Sequence, residues 1–147
     1  MYEGAVTKDM KAENRVNTAY KNTGKPFFKP EGVVLGVLKG EGKTGLEINL
    51  IFTDNAYIKR INLDYRMKNA ATDVISFEGP SGGDIFISVE KAKAQADEYG
   101  ATLPEELKRL LVHGTLHVLG YDHIKSADAV KMRAKEKKYL KKAMEKK

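Results

Sequence analysis

The clearest pattern along the chain is the alternation GLEINLIF over 45–52, which places Leu46, Ile48, Leu50 and Phe52 on one face of a β-strand. Asp54 then reads as an N-cap. Ile58, Ile61, Asn62 and Tyr65 recur at helical spacing and predict a helix from about Asn55 to Arg66. A loop over 69–72, a short strand Val74–Phe77, a glycine-rich turn over 79–83 and a strand Asp84–Ser88 follow. Ser88 is placed to cap a helix reaching Tyr99, and Gly100 stands where a glycine ends a helix by taking positive φ. Thr102-x-x-Glu105 has the form of a capping box and Pro104 suits the first turn of a helix that runs to about Leu119 and stops at Gly120. On that helix Leu103, Leu107, Leu110, Leu111, Gly114 and Val118 form one apolar arc. A last helix covers about Ala127–Met144, with Met132, Tyr139, Leu140, Ala143 and Met144 as its apolar side.

Two segments near the start are less decided by pattern. Asn14–Tyr20 fits a short strand or a short helix, while Pro30–Leu38 reads as a short helix opened by Pro30 and ended by the glycines at 40 and 42. About four strands alternating with four or five helices predict an α+β (mixed α/β) fold, a mixed sheet covered by helices. Tyr65 and Phe77 are expected to fill its core.

Composition narrows the chemistry. A chain of 147 residues, 41% hydrophobic and 31% charged, suits a single domain over 1–147 with one core. Without cysteine there is no disulfide partner, thiolate metal site or Cys nucleophile, which leaves His, Asp and Glu as metal-binding side chains. No apolar run has the length of a signal peptide or a membrane span, so a cytoplasmic protein with no membrane partner is expected. The net charge of +6 is uneven: residues 131–147 carry nine Lys/Arg against two Glu, a net of +7, and the remainder nets −1. Such a cluster attracts a polyanion such as RNA, or is a solvated face of a lysine-rich helix.

All three histidines fall within eleven residues, HGTLHVLGYDH over 113–123. At about 100° per residue, His113 and His117 point the same way one helical turn apart, and two imidazoles so placed can share one ion. Gly120 lets the chain leave the helix and swing back, bringing His123 to the same ion from another side. Three nitrogen ligands with one open position is the arrangement of a catalytic site, in which a bound water's pKa falls from about 15.7 to about 7. One zinc ion is the preferred occupant, although nickel, copper or iron accept the same imidazoles. On the helix both histidines lie at the margin of the apolar arc beside Leu110, at the wall of a cleft. Gly114, at the arc's centre, costs about 1 kcal/mol relative to alanine and calls for close approach of another backbone. The spacing is that of the metzincin peptidases, but those enzymes place their general-base glutamate where this chain has Gly114, which argues against peptidase chemistry. Asp122, Asp84 and Asp73 are candidates to orient an imidazole through its second N–H, although a turn or cap carboxylate is the better reading of each taken singly. Tyr121 reads as packing. Arg66, ending its helix beside TDVISF, offers a bidentate fork that suits a phosphate, or a surface ion pair.

With these residues in view the chain resembles the YbeY family of rRNA-maturation endoribonucleases. The resemblance covers roughly 46–136. It is carried by HGTLHVLGYDH at 113–123, by INLDYRMKNAATDVISF at 61–77, by GDIFIS at 83–88, and by Met132 and Glu136 on the last helix. Asn69 stands where that family has Asp, and Ala71 and Glu78 replace prolines. The resemblance implies a sheet of about four strands under helices. It implies zinc on His113, His117 and His123 at the end of a central helix, with His113 and Arg66 as catalytic residues and Arg66 on the substrate phosphate. The implied activity is hydrolysis of single-stranded RNA, maturing the 3′ end of 16S rRNA and acting on ribosomal particles in ribosome quality control. The competing readings are another metallohydrolase and a metal-binding ribosome-assembly factor without catalysis.

Overall fold

The alternation over 45–52 produces a strand buried on one face, and the rest of the architecture is arranged around it. The structure is a computed structural model that describes residues 12–26, 28–121 and 126–145. Its elements are β1 (Arg15–Tyr20), α1 (Pro30–Gly40), β2 (Glu47–Thr53), α2 (Asn55–Arg66), β3 (Val74–Gly79), β4 (Gly82–Ser88), α3 (Val89–Tyr99), α4 (Leu103–Val118) and α5 (Ser126–Glu145). The sheet order is β1-β2-β4-β3; β1, β2 and β4 are parallel, and β3 runs antiparallel along the edge. The α+β reading with a four-stranded mixed sheet therefore stands, with five helices among the described residues.

The undecided segment 14–20 is the strand β1. Its register pairs Val16 with Ile48 and Tyr20 with Phe52, so ladder bonds to β2 settle what local pattern left open. The helix caps form as their sequences dictate. Asp54 accepts from the Tyr57 amide, Ser88 from that of Lys91, and Thr102 and Glu105 close a reciprocal box. The hairpin between β3 and β4 is tighter than the glycine-rich stretch suggests, because Gly79 and Gly82 already pair in the ladder and Pro80 and Ser81 alone make the turn. Gly82 has φ 139°, and a Cβ there would lie 1.9 Å from the Glu47 carbonyl oxygen, so only glycine lets β4 close on β2.

Register assigns the two faces of the sheet. Ile48, Leu50, Phe52, Ile85 and Ile87 pack with Val34 and Leu38 of α1 and with Leu107, Leu110 and Leu111 of α4. The alternate residues face the other way, where Tyr57 of α2 stacks on Phe86 and Tyr65 meets Phe77 edge-on. Helices α4 and α2 thus cover opposite faces, on either side of the edge strand β3. Helix α5 lies on α4, with Met132 and Tyr139 packed against Val37, Val112 and Leu116. Two expectations fail here. Tyr65 is 70% exposed and only flanks Phe77, and Met144 is 40% exposed because α5 runs past the surface it packs on.

Candidate active site

The two histidines that the structure places sit on the last two turns of α4. The arc Leu107, Leu110, Leu111, Gly114 and Val118 is buried against the sheet, which fixes the rotation of the helix and leaves His113 and His117 half-buried at its margin. Their rings lie edge to face, 4.7 Å between centroids and 73° between planes. The i, i+4 spacing has therefore brought two nitrogen donors to one place. Gly120 takes φ 98°, and the Tyr121 amide bonds back to the Leu116 carbonyl, so the chain leaves the helix where the glycine predicts. His123 and Asp122 lie outside the described residues. Among the described residues no group of three His, Asp or Glu side chains is assembled for a metal.

Among the described residues, the carboxylate on His113 is Glu136 and not Asp84 or Asp73. Nδ1 of His113 donates to Oε2 of Glu136 on α5 at 3.1 Å, with His113 21% and Glu136 23% exposed. An ionised carboxylate only accepts, so this bond calls for a proton on Nδ1; in the neutral ring Nε2 then carries the lone pair that a metal needs. The two histidines fit an imidazole-ligated ion, and Glu136 supplies the outer carboxylate such sites carry. Asp84, by contrast, faces away from α4 and accepts from Asn49 at 2.9 Å. Asp73 accepts from the Val74 amide and from Gln95, 3.9 Å from Arg109. Arg109, one turn before His113, is gripped by Glu106 through Nε at 2.9 Å and a terminal nitrogen at 2.7 Å. That hydrogen bonding holds its guanidinium above the usual pKa, with the charges of Glu106, Asp73 and Glu136 adding to it. Glu136 carries a signal in sequence only as part of the last-helix motif; its partner 23 positions away is set by how α5 docks on α4.

Gly114 is explained by side chains and not by another backbone. A Cβ there would come 2.8 Å from Cγ2 of Ile85 and 3.2 Å from Oγ of Ser76, which itself donates to the Gly114 carbonyl. The residue after the first histidine therefore points into the sheet. A glutamate at 114 would be buried against Ile85 and Val74, which accounts for the missing peptidase base. Gly114→Ala is expected to destabilise the fold by about 1–3 kcal/mol through overpacking, which outweighs the helix-propensity gain of about 1 kcal/mol because Ile85 is fully buried and cannot yield. Urea denaturation checks the sign; a stabilised variant would show that α4 can lift from the sheet at no cost.

Arg66 is exposed in the last turn of α2, where Met67 takes the left-handed conformation at φ 56° and ends the helix. Asn62 is buried, and its amide nitrogen donates to the Ala70 carbonyl at 2.9 Å, folding the loop after Arg66 back on its own helix. Among the described residues the Arg66 guanidinium has no ion-pair partner within 4 Å; the surface salt bridge on α2 is instead Arg60–Asp64.

The family model for endoribonuclease YbeY matches residues 10–144, further toward the start than the motifs alone reach. The Flavobacterium psychrophilum endoribonuclease YbeY is 43% identical over 112 residues, covering 74% of this chain and 80% of that protein. The Myxococcus xanthus protein of the same name is 36% identical over 155 residues, and the chain spans only 53% of its length. Among solved structures, the solution structure of TM1509 from Thermotoga maritima matches with a TM-score of 0.62 at 26% identity, over 84% of this chain and 86% of that one. Two histidines paired on a sheet-packed helix, an exposed arginine across the edge strand and a family match over residues 10–144 agree, and the chain belongs to the YbeY family of endoribonucleases.

Proposed function

We propose that this protein is a zinc-dependent endoribonuclease that cuts single-stranded RNA in the cytoplasm, maturing the 3′ end of 16S rRNA and acting on ribosomal particles in quality control. Family membership supplies the reaction class, hydrolysis of phosphodiester bonds in RNA. The observation that carries the metal part is the pairing of His113 and His117 at 4.7 Å with Glu136 on the Nδ1 of His113. His113, His117 and His123 would hold one ion, which when bound supplies Lewis-acid activation of water and of a phosphoryl oxygen.

The chain's own residues do the rest. Glu136 fixes the His113 tautomer and ring orientation. Arg66, exposed and without an ion-pair partner among the described residues, binds the scissile phosphate by its fork and stabilises the charge that develops on it. Gly114 removes the peptidase base and its carbonyl is engaged by Ser76, so the helix contributes ligands and no proton acceptor at that position. Asp122 stands beside a ligand and remains a candidate for orienting it, whereas Asp84 is on the wrong face.

A labelled single-stranded RNA and casein, offered side by side, test the reading. RNA is expected to be cut and casein left intact. Arg66→Ala is expected to slow RNA cleavage about 10²–10³-fold at unchanged metal content, the loss typical of one donor to a developing oxyanion. Unchanged cleavage in both Arg66→Ala and His113→Ala would instead identify a ribosome-assembly factor without catalysis. Product ends separate the nucleophiles: a 2′,3′-cyclic phosphate marks attack by the RNA's own 2′-OH and would exclude water.

A further inference from the structure

We propose that α5 carries a second RNA-binding site, a lysine track outside the catalytic cleft that holds the phosphate backbone of single-stranded RNA entering or leaving it. The inference rests on the endoribonuclease reading for the identity of the polyanion. Its starting point is the concentration of all the positive excess in residues 131–147. The structure sorts those cations into two rows. The buried side of α5 is Ala129, Met132, Tyr139 and Ala143. Lys131, Lys135, Lys138 and Lys142, at i, i+4, i+7 and i+11, share the side that borders α1, while Arg133, Lys137 and Lys141 share the other.

The first row has a hollow at each end. At one end Lys131 lines a hollow of about 380 Å³ with Lys43, Gly120 and Tyr121, where α4 gives way to the segment that carries His123. In the middle Lys135 stands 5.8 Å over the Tyr121 ring and bonds Glu41 at 2.9 Å. At the other end Lys138 and Lys142 stand over the Tyr139 ring, and Lys142 lines a second hollow of about 670 Å³ with Lys29, Lys108 and the glycines at 32 and 36. The track thus runs from beside Gly120 and Tyr121 to the far end of α5.

Charge along the row is not cancelled internally. Of the carboxylates on it, Glu41 is consumed by Lys135 and two tyrosine hydroxyls, and Asp128 and Glu145 sit singly at the two ends. Among the described residues Lys131, Lys138 and Lys142 have no salt-bridge partner, as the ion pairs there show. Like charges at i, i+4 destabilise a helix, so Lys138 and Lys142, without such a partner, work against α5 unless a polyanion neutralises them. The rings under the lysines are unsuited to base stacking, since Tyr139 is 2% exposed and Phe28 lies beneath Lys108. The track is therefore a reader of phosphates, strongly salt-dependent and indifferent to sequence.

The test is equilibrium binding of the full-length protein to a fluorescent, nuclease-resistant 2′-O-methyl RNA of about 20 nucleotides at several KCl concentrations. Lys131→Ala/Lys138→Ala/Lys142→Ala is expected to weaken binding at least about 10-fold near 0.1 M salt and to reduce the slope of log K against log salt by about 2, three phosphates at about 0.7 each. Alanine keeps helix propensity high, and circular dichroism confirms that α5 is retained. Arg133→Ala/Lys137→Ala/Lys141→Ala removes the same charge from the other row and is expected to cost less than about twofold. Equal losses from the two triples would mean that net charge alone attracts RNA and would overturn the track, as would wild-type affinity and slope in the first triple. Binding is read without cleavage, so a wild-type protein that binds but cuts nothing would remove the nuclease reading and leave the track in place.

Discussion

His117→Ala is expected to empty the protein of metal, from about one equivalent of zinc in the purified wild type to almost none, and RNA cleavage is expected to vanish with it. The physical ground is that His113 and His117 occupy one place, 4.7 Å apart, on a helix whose rotation is fixed by a fully buried face. Removing one imidazole leaves the other without the geometry that would make it a ligand, and no cysteine is present to substitute. A graded companion is Glu136→Gln. It keeps shape and a hydrogen bond to Nδ1 but removes the negative charge that makes the ring a better donor, and a 10–100-fold weaker zinc affinity by chelator competition is expected. Elemental analysis of the variants decides the matter. A His117→Ala protein that retains a full equivalent of zinc, or a chelated wild type that cuts RNA undiminished, would sink the shared-ion reading.

The second large effect is on stability. Glu41→Ala is expected to cost about 3 kcal/mol near neutral pH. Glu41, at the end of α1, has a side chain 5% exposed that accepts from Tyr121 at 2.5 Å, from Lys135 at 2.9 Å and from the Tyr139 hydroxyl. Burial alone would raise its carboxyl pKa. The hydrogen bonds from Tyr121, Tyr139 and Lys135, and the Lys135 charge, outweigh burial and hold it at about 2 against an ordinary 4.5. A displacement of that size corresponds to about 3 kcal/mol at about 1.4 kcal/mol per pKa unit. Because the folded pKa is depressed, this stability is fully present above about pH 4.5 and is lost as pH falls toward about 2. Urea unfolding from pH 7 to 2 should show that loss in the wild type and not in Glu41→Gln. The same acid dependence in both would show that another carboxylate carries it. The cluster ties α1 to α5 and to Tyr121, the residue before the segment holding His123, so Glu41→Ala should also weaken metal binding.

Local pattern was enough for most of the elements because it reports on what each segment does with its own backbone. Caps at Asp54, Ser88 and Thr102, helix ends at Gly100 and Gly120, and the arc of α4 all depend on residues within one or two turns. The spacing of His113 and His117 is local in the same sense, since a helix of fixed pitch converts four residues into one turn, and the family motifs overlie these segments. What only the tertiary structure decided involves partners far apart in the chain. Residues 15–20 became a strand because β2 offered a ladder more than 30 positions on. The carboxylate on His113 came from α5, and the hydroxyls on Glu41 came from 80 and 98 residues away. Gly114 needed Ile85 and Ser76 to explain it, and Tyr65 stayed outside because α2 turns only one side to the sheet. Periodicity states which side of an element is apolar, but the identity of the group waiting there is set when the chain closes on itself.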